Sequence, residues 1–261
     1  MFLTIDRLAK AFPQKNKESY TVFSDLQFQV KEGEFLSILG PSGCGKSTLL
    51  HIIGGLDQPT EGSVQMNGKP IQEPGPDRGF VFQEAALMPW LSVMENVMFG
   101  LAHLPKDEAK QVALEHLKLV HLSRFADSFP HELSGGMRQR VSIARALAMN
   151  PKVLLMDEPF GALDEQTRMM MHKELQEIWM KTQKTILFIT HNIREAILLS
   201  DRILLMGTRP GRIMKEFNVD IERPRPSSHP DFITLEQEIM SYLEGEISKV
   251  MQEERDHEYS T

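Results

Sequence analysis

Eight consecutive residues constrain this chain more than any others: Gly40-Pro41-Ser42-Gly43-Cys44-Gly45-Lys46-Ser47. They fit the spacing G-x-x-x-x-G-K-[ST]. The apolar run Phe35-Leu36-Ser37-Ile38-Leu39 before them reads as a buried strand, and the stretch from Ser47 to Ile53 as a helix. Glycine tolerates the backbone angles that turn successive N–H groups inward, which makes a cradle for phosphate oxygens. The helix that follows points the positive end of its dipole at the same anion. In such a loop Lys46 reaches the β- and γ-phosphates, Ser47 ligates Mg²⁺, and Thr48 adds an α-phosphate contact.

A strand, a glycine loop and a helix in that order belong to a layered α/β domain. Short apolar runs recur at Val153-Leu154-Leu155-Met156, Ile186-Leu187-Phe188-Ile189 and Ile203-Leu204-Leu205-Met206. Strands apolar on both faces point to a covered parallel sheet. Near the start, Phe2 to Leu8 and Val22 to Val30 alternate as half-exposed strands do, and Lys15 to Ser19 reads as a turn. From Glu84 to Met149 the pattern is mostly helical. Between Asp107 and Val120 it places Ala109, Val112, Ala113, Leu117 and Val120 on one face. No internal repeat is visible.

Beyond Gly211 the pattern changes. Glu222-Arg223-Pro224-Arg225-Pro226 reads as an extended, proline-stiffened connector. Phe232, Leu235, Ile239, Leu243, Ile247 and Val250 then form an amphipathic helix, packed on its own domain or offered to a partner. Four segments result. Residues 1–83 form an N-terminal β region with the phosphate-loop part of the core, and 84–149 a helical subdomain. Residues 150–222 are the rest of the core, and 223–261 the connector with an acidic helix and tail.

Composition narrows the function classes. The formal charge of −7 is carried entirely from Asp231 onward, where nine acidic residues face Lys249 and Arg255. The body is balanced, which argues against a nucleic-acid partner. One cysteine, Cys44, excludes an internal disulfide framework and fits a reducing compartment. No apolar run approaches the ~18 residues of a membrane span, and the opening residues lack the apolar run of an export signal.

Two further motifs complete a nucleotide chemistry. Val153 to Met156 delivers Asp157 and Glu158 at a strand end, where ligands of open α/β sheets gather. Asp157 is placed to hold Mg²⁺, directly or through water, and Glu158 to orient and deprotonate an attacking water. In Leu133-Ser134-Gly135-Gly136-Met137-Arg138-Gln139-Arg140, Ser134 reads as an N-cap and the two glycines expose free N–H groups. That is a second anion site.

With these three motifs in order, the stretch from Phe2 to Met214 resembles the ATPase subunit of an ABC transporter. The resemblance implies a P-loop fold with an antiparallel β region, a parallel-sheet core and the inserted helical subdomain. It implies ATP and Mg²⁺ as cofactors and a head-to-tail homodimer, in which Ser134, Gly135 and Gly136 complete the partner's ATP site. A C₂ pair allows each site to be completed in trans. Gln83 resembles the glutamine-loop residue that senses Mg²⁺ and the attacking water. His191 resembles the switch histidine on the γ-phosphate, and Asp164 the residue that couples the two sites. Phe12 resembles the aromatic that stacks on adenine, with Tyr20 a nearby competitor. Gly40, Pro41, Ser42, Gly43, Cys44, Gly45, Lys46, Ser47 and Thr48 take the ATP-binding roles, and Glu158, His191 and Gln83 the catalytic ones. Cys44 reads as a small residue filling a tight turn, whose alkylation would block ATP. Met169-Met170-Met171 reads as helix packing.

The segment Ala85 to Leu91 reads either as subdomain core or as the rim of a groove that receives a short helix from a membrane subunit. Pro74 to Gln83, Leu87-Met88-Pro89-Trp90, Arg209-Pro210-Gly211-Arg212-Ile213 and Arg223-Pro224-Arg225-Pro226 resemble the importer ATPases for nitrate, sulfonates and taurine. The partners so implied are an integral membrane permease and, indirectly, a solute-binding protein. The implied location is the cytoplasmic face of the cell membrane.

Overall fold

The computed structural model describes residues 1–13 and 19–258. The expected turn at Lys15 to Ser19 therefore falls, but for Ser19, outside the described residues. By compactness the chain divides into Met1–Glu73 with Ile189–Thr261, and Pro74–Phe188. This division does not coincide with the four segments read from the sequence.

The first unit opens with β1 (Leu3–Phe12), β2 (Tyr20–Val30), β3 (Phe35–Leu39), α1 (Lys46–Gly54), β4 (Glu61–Met66) and the two-residue β5 (Lys69–Pro70). β1 lies between β2 and β4, antiparallel to both. Leu3, Ile5 and Leu8 bury one face of it. The alternation breaks at Asp6-Arg7, where the register shifts between Ile5 and Leu8, and resumes from Leu8 to Lys10; the strand continues to Phe12.

The second unit contains β6 (Arg78–Val81), α2 (Val93–Met98), α3 (Lys106–Leu119), α4 (Gly135–Ala148), β7 (Val153–Asp157) and α5 (Glu165–Thr182). β6 and β7 run parallel, in register from Arg78 opposite Val153 to Val81 opposite Met156. α3 buries Ala109, Ala113 and Leu117, as its spacing predicts, while Val112 is half-buried. On α5 only Met171 of the three methionines is buried. Met169 and Met170 are exposed, because consecutive helical residues point about 100° apart. The segment Ala85 to Leu91 is not helical and is half-buried to exposed, which removes the core reading.

β8 (Thr185–Thr190) leads back to the first unit, which continues with α6 (Ile193–Leu199), β9 (Arg202–Gly207), β10 (Arg212–Asn218) and α7 (Pro230–Glu258). β3 is buried throughout and runs parallel to β9, which pairs antiparallel with β10. The single polar residue of β3, Ser37, accepts a hydrogen bond from the Ser200 hydroxyl at 2.6 Å, so its burial leaves no orphaned group.

α7 packs on its own unit. Phe232 and Ile239 are fully buried with Leu39, Ile193, Ile197, Leu205 and Phe217, and Leu235 and Leu243 lie against them. Helical structure runs on to Glu258; the side chains of Ile247 and Val250 are outside the described set. The connector is docked rather than free. Arg223 donates to Asp201 at 2.7 Å. Arg225 is 4% exposed and donates to the carbonyls of Ile197, Leu198, Ser200, Val219 and Ile221. Burial, then the neighbouring Arg223 charge, push its pKa down to about 10. Two of these acceptors, Ile197 and Leu198, are carbonyls of the last turn of α6.

Candidate active site

In the first unit, the loop between β3 and α1 turns on two glycines in the left-handed region, Gly43 at φ 80° and Gly45 at φ 95°. Gly45 is also hemmed in: a Cβ there would stand 2.7 Å from Val22 Cγ1 and 2.8 Å from Phe23 Cδ1. Ser42, Gly43 and Ser47 are exposed on the outer side. The positive end of the α1 dipole lies at the loop, with no side chain capping it.

Lys46 is only 5% exposed. Its ammonium donates to the carbonyls of Gly40 at 2.8 Å and Pro41 at 2.9 Å, and lies 3.7 Å from Cys44 Sγ. The cation is held inside the loop by the loop's own backbone. Cys44 is fully buried, and burial pushes its thiol pKa up against the opposing Lys46 charge.

The same unit carries His191, exposed just after β8. Its turn is fixed by a buried network. The Thr190 hydroxyl donates to Glu195 at 2.5 Å and accepts from Asn192 N at 2.9 Å. Asn192 caps α6 by accepting from the backbone N–H of Arg194 and Glu195. Phe12 and Tyr20 sit directly opposite one another across β1 and β2, 44% and 50% exposed. The Lys10 ammonium lies 4.8 Å from the Phe12 ring centre.

In the second unit, buried β7 ends on half-buried Asp157. Glu158 follows at φ 42°, an uncommon backbone region for a residue with a side chain and one that clusters at functional sites. The Gln83 amide nitrogen and a Glu158 carboxylate oxygen both face Gly161, 3.5 and 3.8 Å from where its Cβ would stand. Arg168 pins the loop from behind, donating to the carbonyls of Leu163 at 2.8 Å and Phe160 at 3.4 Å. Asp164 caps α5 by accepting from Thr167 N at 3.0 Å, and that bond holds its carboxyl below the usual range.

Ser134 caps α4 as its position predicts, accepting from Met137 N at 3.3 Å. Gly135 is exposed, and a Cβ at Gly136 would fall 2.5 Å from Thr167 Cγ2. α4 also grips the segment after Gln83. Gln139 donates to the Phe82 carbonyl at 3.2 Å, and Arg145 to those of Ala86 at 2.8 Å and Ala85 at 3.1 Å. A cavity of about 390 Å³ opens there, lined by Gln83, Leu87, Gly135, Arg138, Gln139 and Leu163. Further along the chain, buried Asn96 accepts from Met88 N and donates to the carbonyls of Met88, Leu91 and Ser92. This shapes the loop that leaves Trp90 71% exposed.

The ABC transporter family profile matches residues 23–161. The chain belongs to that family. It is 45% identical over 251 residues to the taurine import ATP-binding protein TauB of Rhizobium johnstonii, covering 92% of this chain and 96% of that one. It is 43% identical over 251 residues to the nitrate import ATP-binding protein NrtD of Synechococcus elongatus, covering 93% and 91%. The bicarbonate transport ATP-binding protein CmpC of the same species is 44% identical over 252 residues. That match covers 93% of this chain but only 38% of the longer relative. Among solved structures, the ATP-binding cassette MJ0796, captured as a dimer in a post-hydrolysis state bound to ADP and Pi, aligns with a TM-score of 0.74 at 36% identity. The alignment covers 84% of this chain and all of that one.

As an ABC-type ATPase, the chain presents its sequence-read residues in two sets. The first unit holds the phosphate loop, His191, Phe12 and Tyr20; the second holds Gln83, Asp157, Glu158, the Ser134 cap and Asp164. Asn96, Gln139, Arg145, Arg168 and Glu195 escape sequence reading. Each acts on backbone or side chains through bonds that no local motif announces.

Proposed function

We propose that this chain is the ATP-hydrolysing subunit of an importer for a small polar solute of the nitrate, bicarbonate, sulfonate or taurine kind, working through a separate membrane permease. The observation that carries the reading is the buried Lys46 ammonium, held on the carbonyls of Gly40 and Pro41 beneath an uncapped helix N-terminus. A buried cation beside a helix N-terminus without a side-chain cap suits a polyphosphate. The importer assignment rests on likeness to the taurine, nitrate and bicarbonate relatives.

ATP is cradled by 40–48, with Phe12 or its cross-strand neighbour Tyr20 on the adenine. Ser47, Asp157 and Gln83 offer hard oxygen donors, the kind Mg²⁺ takes alongside phosphate oxygens and water. Among the described residues no cluster of three or more His, Cys, Asp and Glu could hold a metal ion. Mg²⁺, when bound, neutralises phosphate charge. Glu158 takes the proton of the attacking water, Gln83 orients that water, and His191 contacts the γ-phosphate.

Ser134, Gly135 and Gly136 contact the nucleotide of a second copy, so ATP binding closes a homodimer and hydrolysis releases it. Asp164 couples the two sites. Among the described residues no helix is long and apolar enough to cross a membrane. The permease therefore supplies the pore, a solute-binding protein delivers to it, and this chain docks at the cytoplasmic face. The cavity beside Gln83 and the exposed Trp90 receive the permease.

The test is ATP-driven uptake of labelled nitrate, bicarbonate or taurine into proteoliposomes holding the chain with its co-purified membrane subunit. Uptake of one solute that stops with Lys46→Ala supports the proposal. A chain that purifies with soluble partners alone and drives no uptake contradicts it.

A further inference from the structure

The acidic C-terminal helix and the Arg209-Pro210-Gly211-Arg212 turn take no part in the chemistry above, yet they meet behind the phosphate loop. Glu246 on α7 is 2% exposed. One carboxylate oxygen accepts from Thr208 N at 2.9 Å, the other from the Arg212 guanidinium at 2.8 Å. Arg212 also donates to the Thr208 carbonyl at 2.9 Å, which closes the turn between β9 and β10 upon itself. A Cβ at Gly207 would stand 2.5 Å from the same Glu246. The carboxylate is thus seated where β9 ends.

The turn so fixed is the backing of the nucleotide loop. Gly211 N donates to the Val22 carbonyl at 2.8 Å, and Ser24 N donates to Gly211 O at 3.3 Å. A Cβ on Gly211 would overlap the carbonyl oxygen of Cys44, and one on Gly40 would stand 2.6 Å from the Met206 carbonyl. Backbone therefore lies close to backbone at two points of the loop, Cys44 against Gly211 of the turn and Gly40 against Met206 of β9.

We propose that Glu246 is a positioning residue for the phosphate loop, setting the β9–β10 turn through Thr208 and Arg212 so that Gly211 supports the backbone at Cys44. This links the acidic helix to nucleotide affinity. It rests on the reading of 40–48 as the ATP cradle.

The test measures equilibrium binding of a fluorescent ATP analogue, ATPase KM and kcat, and melting temperature in the full chain. Glu246→Ala should raise Kd and KM about tenfold, and Glu246→Gln about threefold, as expected for losing all or part of a charge-assisted bond. At saturating ATP kcat should stay near the parent value, because Glu246 touches no reacting group. Arg212→Ala should weaken binding like Glu246→Gln, and the pair together should add nothing further.

Phe232→Leu loosens the opposite end of α7 and separates positioning from general stability. It should lower the melting temperature while leaving ATP affinity unchanged. Parent-like affinity in both Glu246 variants, or an equal affinity loss in Phe232→Leu, would overturn the proposal. Lys46→Ala marks the underlying reading: unchanged ATP binding in that variant removes the cradle itself, and the proposal with it.

Discussion

Arg145 donates to the carbonyl of Ala86 at 2.8 Å, 59 residues away in sequence. The bond ties the helix that begins at Ser134 to the segment that follows Gln83. A second donation, to Ala85 at 3.1 Å, makes the grip two-pronged. Burial lowers the Arg145 pKa. Two segments far apart in sequence are thereby tied together by one side chain.

Arg145→Ala removes both donations and should lower the unfolding free energy by about 2 kcal/mol, the scale of hydrogen bonds from a charged donor. Arg145→Lys, with a point charge in place of a fork, should recover only part of that. Urea unfolding followed by circular dichroism measures both. Parent-like stability in the alanine variant would show the grip to be idle.

Lys46 is held inside the loop on the carbonyls of Gly40 and Pro41, so its removal should act on the phosphate cradle. Lys46→Ala should weaken ATP binding by about 100-fold, as expected for losing a charge-assisted phosphate contact. Titration calorimetry measures the constant. Binding within threefold of the parent would place the nucleotide elsewhere.

The Cys44 thiol is buried and its pKa is raised by that burial. The thiolate is the reactive form, so a raised pKa means less of it at a given pH. Alkylation should run slower than for an exposed thiol at pH 7.5 and accelerate as pH climbs past the ordinary thiol range. Protein modified there should no longer bind ATP. Mass spectrometry of the reaction course, with nucleotide binding of the modified fraction, decides both points; rapid labelling at neutral pH or full affinity after labelling contradicts them.

Asp164 has its carboxyl pKa depressed by the Thr167 N–H. A depressed folded-state pKa contributes stability above the unfolded pKa, and that stability is lost as pH falls through the folded value. Asp164→Ala should therefore lower the melting temperature at pH 7 by a few degrees, with the gap to the parent closing as pH drops below the carboxylate range. Asp164→Asn retains a capping oxygen but carries no titrating charge, so its melting temperature should not share that pH dependence. Calorimetric scans from pH 7 to pH 3 provide the comparison.

Much of the chemistry was legible because its geometry is local. The left-handed angles at Gly43 and Gly45 and the Ser134 cap are properties of a few adjacent residues. The buried strands β3, β7, β8 and β9 also stood out, each a short apolar run. β4 did not, since Glu61-Gly62-Ser63-Val64-Gln65-Met66 carries only two deeply buried side chains. β10 was hidden too, being largely exposed apart from Phe217. The docking of the extended connector was hidden for a related reason: Arg225 is buried against five carbonyls that only the fold brings to it. Arg145, Arg168 and Glu246 likewise reach partners that only the folded chain brings near.

The most direct measurement is ATP turnover and ATP-dependent self-association of Glu158→Gln. This residue follows a buried strand at φ 42°, with its carboxylate and the Gln83 amide both facing Gly161. The variant is isosteric but cannot take a proton, so it should bind ATP with parent-like affinity, migrate as a dimer in size-exclusion chromatography when ATP is present, and hydrolyse none. Hydrolysis near the parent rate would show that Glu158 is not the base and would contradict the account of the site.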